Sequence, residues 1–256
     1  HIHLFKKMHI VQIGSHTGDD PFLDLFDFKK EQVDKCLIVE ALASSLDLCQ
    51  KLYSEKFDSE YLDKISFVNR AVVDKADTES VDFFFPKGEH ESDGDVSYTA
   101  FSSTNKNHLL SHGITEIEKR EVSAITLSDL FKEFDMEKVD RLYLDAEGLD
   151  AKILLSLNLS EIDIPFICFE AAHTDGAFQR TQNCKDLYKH LTENDYNIFS
   201  FYHTSKNEGY DSDQLDWNWW AIKGEEEELL QEIFEFAGHK SKVENGHSLI
   251  IKIGDQ

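Results

Sequence analysis

Met8-His-Ile-Val-Gln-Ile-Gly14-Ser-His-Thr-Gly18-Asp-Asp20 is the stretch that decides the fold of this chain. The apolar run before Gly14 predicts a strand over Met8–Ile13, and the segment after Gly18 predicts a helix over about Pro21–Val33. A strand that turns on glycines into a helix leaves backbone N–H groups and a positive dipole end facing a ligand. Glycine also permits backbone angles and close approaches that other residues do not.

The spacing of the two glycines narrows the kind of ligand. Gly-x-x-x-Gly differs from the Gly-x-Gly-x-x-Gly of dinucleotide enzymes and from the Gly-x-x-x-x-Gly-Lys of phosphate loops. It fits the nucleoside-binding turn of enzymes that use S-adenosylmethionine (SAM). Similar turns occur in many α/β proteins that bind no ligand there, so the turn alone does not identify a function.

The composition excludes several classes of partner. The chain has 256 residues, with 26 basic and 50 acidic side chains and a net charge of −24. Such a chain repels nucleic-acid phosphate and anionic lipid, and no apolar run approaches membrane-spanning length. We expect no signal peptide at the start. The four cysteines lack C-x-x-C spacing, which is typical of reduced thiols in a cytoplasmic protein.

Strand-like runs alternate with amphipathic segments, which predicts one α/β domain over residues 1–256, a doubly wound parallel sheet with helices on both faces. Further strands are predicted over Cys36–Glu40, Lys64–Val68, Val122–Ile125, Val139–Leu144, Pro165–Phe169, Tyr196–Phe201 and Trp217–Ile222. Further helices are predicted over about Ser44–Lys56, Ser128–Phe134, Leu149–Leu157 and Cys184–Thr192. Ala71–Asp74 and Val81–Phe85 are expected to form a hairpin or to extend the sheet.

The remaining segments are less regular. Residues 88–119 are rich in polar residues and are expected to form a flexible cover over the site. A second polar loop is expected over Thr204–Asp213. The acidic run 225–228 predicts the start of a last helix, because carboxylates suit a helix amino terminus. Leu249–Ile253 is expected to add an edge strand.

Polar side chains follow three of the predicted strands, where α/β sheets bind ligands. Glu40 can accept both hydroxyls of a ribose, or it is an exposed strand-end acid. Asp145 and Glu147 can orient a cofactor, act as a base or hold a divalent cation, or they cap the following helix. Glu170 and His173 are expected beside Asp145, with His173 a proton acceptor or a surface histidine.

Taken in order, these segments resemble the FkbM family of SAM-dependent methyltransferases. The resemblance runs from about Val11 to Ile222, and its most specific element is the turn Asp145-Ala-Glu-Gly148. The other matching segments are the glycine turn, Val39-Glu-Ala41, Phe67-Val-Asn-Arg-Ala-Val-Val-Asp74, Ile125-Thr-Leu-Ser-Asp-Leu130 and Phe169-Glu-Ala-Ala-His173.

The resemblance implies a Rossmann-like, seven-stranded, mostly parallel sheet with an antiparallel last strand. It implies SAM as cofactor and methyl transfer to a hydroxyl of a small molecule or sugar. The implied catalytic residues are Asp145, Glu147, Glu170 and His173. The implied cofactor-binding residues are Gln12, Gly14, Ser15, His16, Gly18, Glu40, Ala41, Asn69, Arg70, Ala71 and Asp145.

Three positions depart from the family pattern. Gln12 stands where an acid is usual, Tyr143 stands where a lysine is usual, and a usual Leu-Asp dipeptide is Leu127-Ser128, with Asp129 next. Gln12 and Tyr143 favour an alternative, a SAM-binding module that has lost catalysis. A nicotinamide-dependent oxidoreductase is a further alternative, against which the missing Gly-x-Gly-x-x-Gly argues. A site without metal is expected, although Asp145, Glu147 and Glu170 offer oxygen ligands suited to magnesium or calcium.

Overall fold

The structure, a computed structural model, describes residues 7–87, 100–175, 179–207, 210–224, 229 and 247–253. The strands are β1 (Met8–Ile13), β2 (Val33–Glu40), β3 (Ile65–Asn69), β4 (Ala71–Val73), β5 (Ser80–Pro86), β6 (Ile117–Thr126), β7 (Arg141–Leu144), β8 (Phe166–Glu170), β9 (Tyr196–Asn207), β10 (Tyr210–Lys223) and β11 (His247–Lys252). The helices are α1 (Pro21–Lys29), α2 (Ala43–Lys56), α3 (Ser59–Leu62), α4 (Lys106–Ser111), α5 (Leu127–Glu133), α6 (Asp150–Ser156) and α7 (Gln182–Glu193).

The main sheet confirms the predicted α/β fold. Its strand order is β11-β9-β10-β8-β7-β1-β2-β3. The strands β3, β2, β1, β7 and β8 run parallel, and β10 pairs with β8 and β9 in the antiparallel sense. These seven strands form the expected Rossmann-like sheet, and β11 adds the expected edge strand beside β9.

Helices cover both faces of this sheet, because its central strands are apolar on both sides. On one face Phe26 of α1 and Tyr53 of α2 pack over Ile10 and Ile38. On the other face α5, α6 and α7 supply the buried side chains Leu130, Ile153 and Leu187. Strand order reverses at β1, so the carboxyl ends of β2 and β7 flank the end of β1, where such folds bind ligands.

The first predicted helix was too long. Helix α1 ends at Lys29, and Val33 instead begins β2, where it pairs with Met8 and is fully buried. Pairing with β1 therefore overrides the helical pattern of the preceding residues.

Both alternatives for Ala71–Asp74 and Val81–Phe85, a hairpin or an extension of the main sheet, are wrong. Strand β4 pairs in parallel with β6, and β5 pairs antiparallel with the same strand, which gives a separate three-stranded sheet β4-β6-β5. The long β6 therefore lies between the two segments that were expected to meet. Its inner face, with Val122, packs on Ala41 and Phe83 and so closes one side of the site.

The predicted loops are more regular than expected. Within the expected cover, residues 88–99 lie outside the described residues, and the rest contains α4 and the start of β6. The expected loop Thr204–Asp213 is largely strand, because β9 and β10 extend as an antiparallel ladder to Asn207 and Tyr210. The acidic run 225–228 lies outside the described residues. Across the described ranges, none of the helices has the length and apolarity needed to cross a membrane.

Candidate active site

The glycine turn is fastened to the end of β2 by its own backbone. The N–H groups of Gly14 and Ser15 both donate to the carbonyl oxygen of Val39, at 2.9 and 3.2 Å. The N–H of Gly18 donates to the carbonyl of Ser15, at 2.8 Å. These groups were expected to face a ligand, but they serve protein acceptors, since the turn must be held between two parallel strands.

At both glycines, protein atoms fill the space that a side chain would occupy. A Cβ on Gly14 would lie 1.8 Å from the carbonyl oxygen of Asp145. A Cβ on Gly18 would lie 2.6 Å from the Sγ of Cys49 in α2. Both glycines have φ near +78°, a region that favours glycine. Gly14 thus lets the end of β1 pack closely on the end of β7, and Gly18 lets the turn before α1 pack closely on α2.

Glu40 joins the turn to the start of α2. Its Oε2 accepts the N–H of His16 at 2.9 Å, and its Oε1 accepts the N–H of Leu42 at 2.8 Å. The side chain is 8 % exposed, and burial raises the pKa of this carboxyl although the two backbone donors oppose the shift. Glu40 is therefore not an exposed strand-end acid. It is rigidly oriented at the cleft, with lone pairs left for further donors.

Two of the departures from the family pattern, Gln12 and Tyr143, are neighbours in the sheet. Gln12 of β1 pairs in register with Tyr143 of β7. The Tyr143 ring packs on Phe22 of α1 in edge geometry, at 5.2 Å between centroids. Both side chains are uncharged, so neither leaves an unpaired charge inside the sheet, which would be costly.

The carboxylate of Asp20 lies next to the Gln12 side chain, where the family pattern has an acid. The Nε2 of Gln12 donates to Oδ2 of Asp20 at 2.6 Å, while Oδ1 of Asp20 caps α1 through the N–H of Phe22. Burial raises the pKa of Asp20. Sequence reasoning missed Asp20 as a site residue, although its place directly before Pro21 at a helix start marks it as a capping residue.

A cavity of about 240 Å³ lies between the turn, the ends of β2 and β7, and the small sheet. The predicted site residues that line it are Gly14, His16, Glu40, Ala41, Arg70, Ala71, Asp145 and Glu147. Those that do not line it are Gln12, Ser15, Gly18, Asn69, Glu170 and His173. The other lining residues are Ile13, Asp20, Val39, Val72, Phe83, Ala100, Ser102, Thr104, Ala146 and Leu149. Three of them, Ala100, Ser102 and Thr104, belong to the segment that was expected to cover the site.

Two predicted cofactor residues, Asn69 and Arg70, bond to groups of the protein itself. The Nδ2 of Asn69 donates to the carbonyl oxygens of Glu40 and Ala41, at 2.9 Å each, and so fixes the backbone that follows β2. The guanidinium of Arg70 forms an ion pair with Glu133 of α5 at 2.6 Å. Asn69 therefore positions Glu40 from behind.

Three predicted carboxylates meet at the ends of β7 and β8. One oxygen each of Asp145, Glu147 and Glu170 lies within 4.8 Å of the others. Desolvation and the neighbouring carboxylates raise the pKa of both Asp145 and Glu147. The alternative that these acids cap α6 is wrong, since its N-cap is Leu149 and has no side-chain cap. Instead Asp150 ties the cluster together by accepting the N–H groups of Ala146 and Glu170.

His173 is 2 % exposed, so it is not a surface histidine. Its Nε2 lies 3.3 Å from Oε1 of Glu170. Two further histidines join it, His108 of α4 and His112 one turn later, with ring centroids 4.7 to 5.3 Å apart. The Nε2 of His108 lies 2.8 Å from Oε2 of Glu147. Sequence reasoning missed both, although the His-x-x-x-His spacing places them on one helix face.

The model of the methyltransferase FkbM domain matches residues 12–198. The structure is similar to the crystal structure of methyltransferase FkbM from Methylobacillus flagellatus, with a TM-score of 0.52 and 13 % identity over 85 % of this chain. The chain spans 44 % of that protein.

Two other solved structures are more distant. The methyltransferase domain of bacterial CtHen1-C has a TM-score of 0.44 and 10 % identity, over 86 % of this chain and 91 % of that one. A putative caffeoyl-CoA O-methyltransferase from Staphylococcus aureus has a TM-score of 0.38 and 9 % identity, over 85 % and 76 %. No curated protein sequence matches the chain significantly. From the family match, which spans the glycine turn, Glu40 and the Asp145-Ala-Glu-Gly148 turn, the chain belongs to the FkbM family of methyltransferases.

Proposed function

We propose that this chain, acting as a single domain, transfers the methyl group of SAM to a hydroxyl oxygen of a small molecule or sugar. The observation that carries the proposal is the placement of Glu40, a buried carboxylate that is held by two backbone donors and lines the cavity. The net charge of −24 supports a small acceptor in the cytoplasm and argues against nucleic acid or a membrane surface.

The lining residues fit the parts of SAM. Glu40 would accept the ribose hydroxyls, as carboxylates do at this position of α/β sheets. Ala41, Ala71 and Phe83 supply an apolar wall for adenine. Asp20 would receive the ammonium group of the methionine part, and Gln12 holds it in place. The ribose, the adenine and the methionine ammonium group of SAM thus each have a matching group in the cavity.

Asp145 is the residue best placed to take the proton of the acceptor. The bound cofactor would supply an electrophilic methyl group, so the protein mainly has to align the acceptor oxygen and remove its proton. Asp145 lines the cavity, whereas His173 lies behind it. The raised pKa of Asp145 makes it a better proton acceptor near neutral pH than an ordinary aspartate.

Calorimetry of the full chain with SAM and with its demethylated product tests cofactor binding. We expect micromolar affinity and a loss of at least tenfold in Glu40→Ala. The matched control is Glu121→Ala, an exposed acid of β6, which should bind SAM normally. Binding of neither nucleoside by the unaltered chain would refute the proposal.

Transfer of a labelled methyl group to a panel of sugars and hydroxylated metabolites tests the reaction itself. A product that disappears in Asp145→Asn, with SAM binding retained, supports the assigned base. SAM binding without any product across the panel would instead favour the non-catalytic module, and binding of NAD would favour the oxidoreductase.

A further inference from the structure

His108, His112 and His173 form a compact cluster beside the carboxylates. Their ligand nitrogens, one from each residue, lie within 4.8 Å of one another. His108 and His112 project from one side of α4 and its C-terminal end because they are four residues apart. His173 reaches them from the segment after β8, so the cluster joins two parts of the chain that are distant in sequence.

One ring nitrogen of His108 is buried without a hydrogen bond. His108 is 1 % exposed, and its Nδ1 has no hydrogen-bond partner among the described residues. Leaving a buried polar atom without a hydrogen bond destabilises the fold. Within the described part of the chain, an unsatisfied ring nitrogen in a histidine cluster favours a bound ion that accepts its lone pair.

Carboxylates contact a ring nitrogen of two of the histidines. Glu147 lies 2.8 Å from Nε2 of His108, and Glu170 lies 3.3 Å from Nε2 of His173. A histidine that ligates a metal usually donates its other ring N–H to a carboxylate, which orients the ring. With its proton on Nε2, His108 keeps the lone pair of Nδ1 for a metal ion.

We propose that His108, His112 and His173 bind one divalent transition-metal ion of the zinc class. Nitrogen ligands distinguish this site from an oxygen-only site for magnesium or calcium. Zinc–nitrogen bonds of about 2.0–2.1 Å bring ligand atoms to about 3.4 Å apart in a tetrahedron, so modest side-chain rotation closes the cluster. Three protein ligands leave a fourth position for water. The site does not depend on methyl transfer.

Zinc titration of the untagged, chelator-treated full chain tests this site by calorimetry. We expect one ion per chain, bound with micromolar or tighter affinity. Cobalt(II) should occupy the same site and give the intense visible absorption of four-coordinate geometry. His112→Gln should weaken zinc binding at least tenfold, because it removes one of three ligands from a half-buried position where the fold tolerates change.

The control is His190→Gln, a half-buried histidine of α7 outside the cluster, which should bind zinc like the unaltered chain. Circular dichroism establishes that each variant is folded. The proposal is overturned if no zinc binds, or if His112→Gln and His190→Gln bind it equally. It is also overturned if Glu170→Gln abolishes binding while His112→Gln retains it, since the carboxylates alone would then hold the ion. In the absence of a metal site, the three rings only pack against one another, with the His112 ring also packed against Phe101.

Discussion

The α-carbon of Gly14 lies so close to the backbone of Asp145 that a side chain at position 14 would collide with the Asp145 carbonyl oxygen. This contact sets the separation of β1 and β7 where the cavity opens. It also explains why the turn requires glycine even though its N–H groups serve the protein.

We therefore expect Gly14→Ala to destabilise the fold by about 3 kcal/mol or more, because the clash is with backbone and adds to the strain of positive φ. Gly113→Ala is the matched control. Gly113 has nearly the same φ, +78°, but a Cβ added there would meet nothing within 4 Å, so its cost should be about 1–2 kcal/mol. Urea denaturation of both variants measures the difference. Equal losses would show that the contact with Asp145 does not matter.

Glu40→Gln should weaken both the fold and SAM binding. An amide keeps one acceptor oxygen but turns an NH₂ group toward the second backbone N–H, so either His16 or Leu42 loses its partner. The expected loss of stability is about 1–3 kcal/mol. Glu121→Gln, an exposed change of the same kind, should cost almost nothing. Denaturation and calorimetry with SAM check the two effects, and normal affinity in Glu40→Gln would contradict the ribose assignment.

Stability should fall as pH rises through the titration of Asp20. Burial raises the pKa of Asp20 above its ordinary value of 3.8, so the folded chain keeps a proton that the unfolded chain releases. Its contribution is thus most favourable below 3.8 and is lost as pH rises toward the raised value. Asp20→Asn should flatten this part of the pH profile.

The control for that experiment is Asp19→Asn, which removes the same charge from the exposed neighbouring residue. The free energy of unfolding, measured by denaturation from about pH 4 to about pH 8, should change slope in Asp20→Asn alone. Identical slopes in the two variants would assign the effect to net charge instead.

Gln12→Glu should destabilise the chain, because it places a second carboxylate about 2.6 Å from Asp20 in a position that is 5 % exposed. The expected loss is about 1–3 kcal/mol. Combining it with Asp20→Asn should recover most of the loss, since the amide can then donate to the new carboxylate. A double-mutant cycle by denaturation measures this coupling. Additive effects would show that the two side chains do not interact.

The strand pattern predicted much of the candidate site, because residues at the ends of parallel strands share one edge of the sheet. Glu40, Asp145 and Glu147 all line the cavity for this reason. The role of Asp20 could not be predicted from the strand pattern. Its hydrogen bond with Gln12 depends on how α1 packs against β1, and the spacing of apolar residues does not specify that packing.

The local sequence determined the order of strands and helices, the two glycines of the first turn, and the carboxylates that end the strands. Those features follow from alternation and turn chemistry within a few neighbouring residues. Only the tertiary structure decided that β4 and β5 both pair with β6, that Gln12 lies beside Tyr143, and that His108 and His112 meet His173. Each of these contacts joins residues far apart in the chain, and their meeting depends on strand register and helix packing.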